Sequence, residues 1–203
     1  MPFGSILLIN IFVGEEILMV NLKATPFNLA DEDIKWVKDT IADMTIEEKI
    51  GQLFVNMGAS RDEEYLKDML NTYHIGAVRY NPATAEQVYD QNKILQENSK
   101  IPLLIAANTE NGGNGACIDG TYVGSQVKIG ATNDPKYAYE LGRVSGVEAA
   151  AIGCNWSFAP VVDIDMNWRN PVISSRCYSN KAEQVLEFSL EYMRGIMESG
   201  IAP

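Results

Sequence analysis

Asp163 and Asp165 stand two residues apart at the end of a mainly apolar run, Asn155–Ile164, that reads as a β-strand. Strand residues at i and i+2 share a face and lie about 6.6–6.8 Å apart. Carboxyl pairs that cleave glycosidic bonds stand about 5–5.5 Å apart with retention and about 6.5–9.5 Å apart with inversion. The two aspartates are therefore candidates for an acid–base pair. The competing reading has one of them hydrogen-bonding the loop that follows. Glu110 is a further candidate carboxylate, or a solvated loop residue. It lies in the polar tail Asn108-Thr109-Glu110-Asn111 of another apolar run. Gly112, Gly113 and Gly115 follow and permit a backbone path close to a ligand. Arg169 and Arg176 each carry a fixed fork of donors, suited to sugar hydroxyls or to a nearby carboxylate. Trp156 and Trp168 offer stacking surfaces, although the strand position of Trp156 points to the core. His74 is read as structural. Neither a GxGxxG nor a Walker loop is present.

These residues need a scaffold, and the pattern supplies one. Asp31–Met44 reads as a helix with Ile34, Val37 and Ile41 on one face, and Thr45 with Glu48 fits a capping box that starts a second. Leu53–Met57 reads as strand one and the segment from Ile75 as strand two. Pro102–Ala107 reads as strand three, buried on both faces, and Asn155–Ile164 as strand four. Between them lie helices at Arg61–Tyr73, Thr84–Asn98 (Thr84 as N-cap) and Tyr139–Ile152, the last rich in Ala and Gly. Residues 109–133 form a long glycine-rich connection. Lys181–Ser199 is a last amphipathic helix burying Val185, Phe188, Tyr192 and Ile196, and Gly200–Pro203 looks like the entry to a fifth strand. Strict alternation implies a parallel α/β sheet with right-handed crossovers. The pattern alone does not separate an open doubly wound sheet from half of an eight-stranded barrel.

Composition narrows the partners. The 203 residues carry a formal net charge of -11, which disfavours nucleic acid and anionic membranes. Cys117, Cys154 and Cys177 are widely spaced with only one histidine in the chain, so neither a zinc set nor a disulfide framework is expected. No cofactor is called for. Residues 1–18 read as an extension without a fold role, and 19–203 as the domain. The apolar run Ile6–Val13 is too short to span a bilayer, and Met1–Ser5 holds no Lys or Arg. A cytoplasmic location is expected, with export or membrane attachment through 1–18 as the alternative.

Over roughly Asp31–Pro203 the chain resembles the N-terminal catalytic barrel of glycoside hydrolase family 3, the group of bacterial β-N-acetylglucosaminidases and β-glucosidases. An ordered set of motifs carries the resemblance: Met44-Thr45-Ile46-Glu47-Glu48-Lys49-Ile50-Gly51-Gln52-Leu53, then Pro102–Gly113, then Gly153–Asp163, then Arg176. It implies the first half of a (β/α)8 barrel, strands one to four with their helices. It also implies retaining hydrolysis of β-linked glucosides or N-acetylglucosaminides. Asn108 stands where the family has a sugar-binding Asp, so the charge there is absent. Glu110 keeps the Glu of the family's Asp-x-Glu-Gly-Gly motif, and Asn111 is an extra residue before the glycine pair. Arg176 matches an arginine that reaches the substrate, and Asp163 a strand-four position that is not the nucleophile. The substrate-binding candidates are thus Asn108, Glu110, Asp163 and Arg176, with no catalytic residue among them. The family's Lys-His-Phe-Pro-Gly-type motif, its acid/base and its strand-seven Asp nucleophile would all follow Pro203. The chain is therefore expected to be a fragment, inactive alone, with open barrel edges available for self-association. Two other readings are kept: a non-catalytic carbohydrate-binding half-barrel, and an unrelated doubly wound protein that binds a small ligand.

Overall fold

The computed structural model describes residues 21–58 and 60–203. The expected extension at 1–18 lies outside the described residues. The chain divides into two compact units between Lys49 and Ile50. In the first, α1 (Asp31–Asp43) opens with three acidic residues that favour its positive end. Ile34 and Val37 are half-buried, whereas Ile41 and Trp36 are exposed. The helix α2 (Ile46–Gly51) starts with the expected capping box. The Glu48 N–H donates to Thr45 Oγ1 at 3.2 Å and the Thr45 N–H donates to Glu48 Oε2 at 2.8 Å.

The second unit is built on four parallel strands in the order β1-β2-β3-β4. They are β1 (Val55–Gly58), β2 (Ala77–Tyr80), β3 (Leu104–Ala107) and β4 (Trp156–Ser157). The crossovers carry α3 (Glu63–Tyr73), α4 (Ala85–Asn98) and α6 (Lys136–Ala151). Their starts follow side-chain chemistry. Asp62 Oδ1 accepts from the Tyr65 N–H at 3.0 Å, and Thr84 forms a capping box with Gln87. Among the described residues none forms a helix long and apolar enough to cross a membrane.

Helices cover one face of the sheet. Val78, Tyr80, Ile105 and Ala107 point into a core shared with Leu66, Leu70, Val88, Leu95 and Leu141. The opposite face is covered only in part: Ala77 and Ala106 are buried there, while Val55, Met57 and Leu104 are each close to half exposed. Strand three is buried on both faces from Ile105 to Ala107, as expected, and only its first residue, Leu104, is exposed, at 47%. The last helix, α7 (Ala182–Met197), buries Val185, Phe188, Tyr192 and Ile196, as its 3.6-residue period predicts. The small residues of α6 receive α7. A Cβ on Gly142 would lie 2.1 Å from the Tyr192 carbonyl oxygen, so the two backbones meet there.

Strand four is much shorter than its apolar run. The Phe158 N–H still donates to the Ala107 carbonyl at 2.9 Å. The Ala159 N–H then turns to Ser157 Oγ at 3.1 Å, and Pro160 has no N–H to give. The ladder stops there, so Asp163 and Asp165 lie in a loop and the two-residue strand spacing does not apply to them. On the far side of β4, Ala202 bridges to Trp156 in parallel, where the sequence suggests the entry to a fifth strand. The connection 109–133 is more structured than its composition suggests, holding a 3-10 turn at Gly113–Gly115 and a short helix α5 (Gln126–Gly130).

Candidate functional site

The carboxyl end of β3 carries Asn108, Thr109 and Glu110 in succession. Glu110 turns toward the loop after β4 and accepts two parallel hydrogen bonds from Arg176, Nε to Oε2 at 2.8 Å and Nη2 to Oε1 at 2.7 Å. This bidentate geometry fixes the guanidinium plane. It also binds the Arg176 proton more firmly: the hydrogen bonds and charge of Glu110 raise the pKa, and the nearby Asp163 carboxylate adds to the effect. Glu110, Arg176 and Asp163 therefore share one electrostatic neighbourhood. Asn108 is half-buried at the same strand end, and its side chain bonds none of the other three among the described residues.

The glycines beside Glu110 are filled by the protein itself. A Cβ on Gly115 would sit 1.5 Å from the Asn108 carbonyl oxygen, and one on Gly113 1.8 Å from Glu148 Oε2. Glu148 accepts from both the N–H and the hydroxyl of Thr121, tying this loop to α6. On the side where a Cβ would stand, these glycines let the loop pack against the exit of β3 and against α6.

Two positioning features were not singled out in the sequence. The first is a buried hydroxyl network around Thr109. Thr109 Oγ1 lies 2.7 Å from Ser157 Oγ and 2.9 Å from the Tyr192 hydroxyl. The Tyr192 and Ser145 hydroxyls also reach the Thr109 carbonyl, at 2.9 and 3.2 Å. Burial raises the Tyr192 pKa, so its proton stays available for donation. The buried-face period of α7 marked Tyr192, but nothing local marked Thr109 as its partner. The second is Gln126, fully buried, whose side-chain amide brackets Val161. Its Nε2 donates to the Val161 carbonyl at 2.8 Å and its Oε1 accepts the Val161 N–H at 2.9 Å. That clamp sets the start of the loop bearing Asp163 and Arg176.

The other candidates fall elsewhere. Asp165 and Trp168 border a groove on the side of that loop lined by Gly130 and Gln184. Arg169 stacks on Trp168. Trp156 is half-buried and meets Phe158 edge-on, with ring centroids 4.6 Å apart. His74 closes α3 in the left-handed conformation, and its carbonyl accepts from Gln52 at 2.8 Å, a structural role. The three cysteines are buried and free. Burial pushes the Cys117 and Cys154 thiols up to about 11, so neither is a ready nucleophile near neutral pH. Among the described residues no cluster of three or more His, Cys, Asp or Glu side chains is placed to hold a metal ion.

Residues 45–203 match the model of the glycosyl hydrolase family 3 N-terminal domain. The chain belongs to glycosyl hydrolase family 3. A beta-N-acetylglucosaminidase/beta-glucosidase of Cellulomonas fimi is 39% identical over 184 residues, covering 91% of this chain and 33% of that protein. The solved structure of beta-glucoside phosphorylase BglX bound to 2FGlc superposes with a TM-score of 0.83 at 38% identity, covering 89% of this chain and 33% of that one. A family 3 beta-N-acetylglucosaminidase from Paenibacillus sp. gives a TM-score of 0.70 at 31% identity, over 78% of this chain and 32% of that one. The chain thus spans about a third of the length of these relatives. The four alternating strands of this family 3 domain correspond to part of the barrel of those structures, which decides for the barrel over the open sheet.

Proposed function

We propose that this family 3 domain supplies the sugar-binding wall for cleavage of β-linked glucosides or N-acetylglucosaminides. The observation that carries the reading is the bidentate Glu110–Arg176 pair at the carboxyl end of a parallel barrel sheet, where such folds place their sites. Two of the five guanidinium N–H groups are engaged by Glu110, which leaves three donors on a side chain 43% exposed. Asp163 offers an exposed acceptor nearby, and Asn108 a neutral amide that both donates and accepts. Together they suit the vicinal hydroxyls of a pyranose. In this reading Glu110 positions Arg176, and its own carboxylate is largely spent on that task.

Binding alone does not accelerate bond cleavage, since only interactions stronger in the transition state do so. Retaining cleavage needs a nucleophile and an acid/base flanking the anomeric carbon. The family resemblance assigns neither role to a residue of this chain, and the loop placement of Asp163 and Asp165 removes the strand-face argument for pairing them. The expected outcome for residues 1–203 on aryl β-glucosides and aryl N-acetyl-β-glucosaminides is binding without turnover, with the binding weakened by Arg176→Ala. Turnover that disappears on Asp163→Asn would overturn the proposal. A second reading concerns the acceptor, because the relative of TM-score 0.83 is a beta-glucoside phosphorylase. In the protein that carries this domain, sugar phosphate formed in phosphate buffer would favour that reading, and free sugar alone would favour hydrolysis.

A further inference from the structure

A groove of about 470 Å³ runs between α5, the start of α7 and the loop after β4, and its lining excludes Asn108, Glu110, Asp163 and Arg176. Its size falls in the range of about 300–1,000 Å³ typical of small-molecule sites. Asp165 borders it with one carboxylate oxygen enclosed and without a hydrogen-bond partner. No donor reaches the other oxygen among the described residues. A carboxylate half out of water and without a donor is costly, and a ligand hydroxyl would relieve that cost. Beside it, the Asn180 side-chain amide makes no hydrogen bond among the described residues and lines the same groove. Trp168 forms another part of the lining and is 72% exposed. The Arg169 guanidinium lies over the Trp168 ring, 4.2 Å from its centroid, without a carboxylate partner among the described residues. That contact holds the indole from one face.

The chemistry selects one ligand class. An anion would meet the Asp165 charge in a chain of net charge -11. A metal ion lacks a ligand cluster here. A purely apolar ligand would strand Asp165 and Asn180. An aromatic face beside one carboxylate acceptor and one free amide matches a pyranose ring, apolar on its C–H face and hydroxylated at its edge. We propose that this groove binds one sugar unit of a saccharide, separately from the Glu110–Arg176 site.

The test follows the three tryptophan indole N–H signals of ¹⁵N-labelled 1–203 during titration with cellobiose and with N,N′-diacetylchitobiose, the Trp168 signal being assigned from Trp168→Phe. The expected result is a saturable shift of the Trp168 indole. Asp165→Asn and Asn180→Ala should each weaken it by about tenfold, the scale of one hydrogen bond to a charged group. Arg176→Ala, which disables the other site, should leave the Trp168 shift in place, so failure of one site is distinguishable from failure of the other. No Trp168 shift with either sugar would overturn the proposal. So would a shift that vanishes in Arg176→Ala, or one produced by calcium chloride in place of sugar.

Discussion

Glu110 and Arg176 share two short hydrogen bonds but not the same surroundings: the Glu110 side chain is 12% exposed and that of Arg176 43%. The asymmetry predicts unequal costs. Arg176→Ala strands a carboxylate that is largely out of water, at about 1–3 kcal/mol. Glu110→Ala frees an arginine that water can solvate, and should cost less. Urea unfolding of both single variants and the double variant checks this. Equal costs, or additivity in the double variant, would count against a pair fixed by Glu110.

The hydroxyl network behind Glu110 is expected to act as a unit. Thr109→Val keeps the shape of the side chain but removes the hydroxyl shared by Ser157 and Tyr192, and Tyr192→Phe removes two contacts to Thr109. Each should cost about 1–3 kcal/mol. The double variant should cost clearly less than the sum, because the first change already orphans the second group. Unfolding free energies that add would show two independent hydroxyls.

Two glycine substitutions should behave differently. Gly115→Ala drives a Cβ into the Asn108 carbonyl, whereas Gly200→Ala meets nothing within 4 Å and faces only a φ of +76°. The first should cost about 3 kcal/mol or more and displace the β3 exit, and the second about 1–3 kcal/mol. Thermal melts rank the two variants, and amide shifts at Asn108 and Glu110 report whether the exit has moved. A mild Gly115→Ala with an unchanged Asn108 would contradict the packing described for the glycine loop.

Stability should decline in alkaline solution through Cys154. Burial raises its thiol from 9.0 to about 11, and the group contacts the Tyr80 hydroxyl at 3.0 Å. The folded chain keeps this proton where the unfolded chain has lost it. The contribution is therefore fully present below about pH 9 and is lost as pH rises toward about 11, by about 2–3 kcal/mol at the upper end. Melting temperature measured from pH 8 to about 10.5 should fall, and Cys154→Ala should flatten the fall. An identical slope in the variant would place the titration elsewhere.

How much of this was legible depended on whether the deciding contact was local. The buried face of α7 and the caps at Thr45 and Thr84 involve residues within a few turns, and periodicity or capping pattern reveals them. The residues around Glu110 leave it open between a site carboxylate and a solvated loop residue, because its partner lies 66 residues away. Strand four was overextended because the apolar run continues through Ala159 and Val161, while pairing ends where Ser157 Oγ captures the Ala159 N–H. Val161 is held instead by Gln126, 35 residues earlier, and no spacing rule connects them.

The sheet order β1-β2-β3-β4 is also the order of synthesis. Each strand emerging from a ribosome finds its partner already made: β2 needs only β1, β3 only β2 and β4 only β3. Within β1–β4 each strand pairs with the one before it, so the loop closed is one helix and its turns before β2 and β3, and the longer connection carrying α5 and α6 before β4. Such a chain can assemble vectorially, repeat by repeat, which shortens the time its apolar strands spend without a neighbour. Ala202 beside Trp156 extends the same rule by one further residue pair.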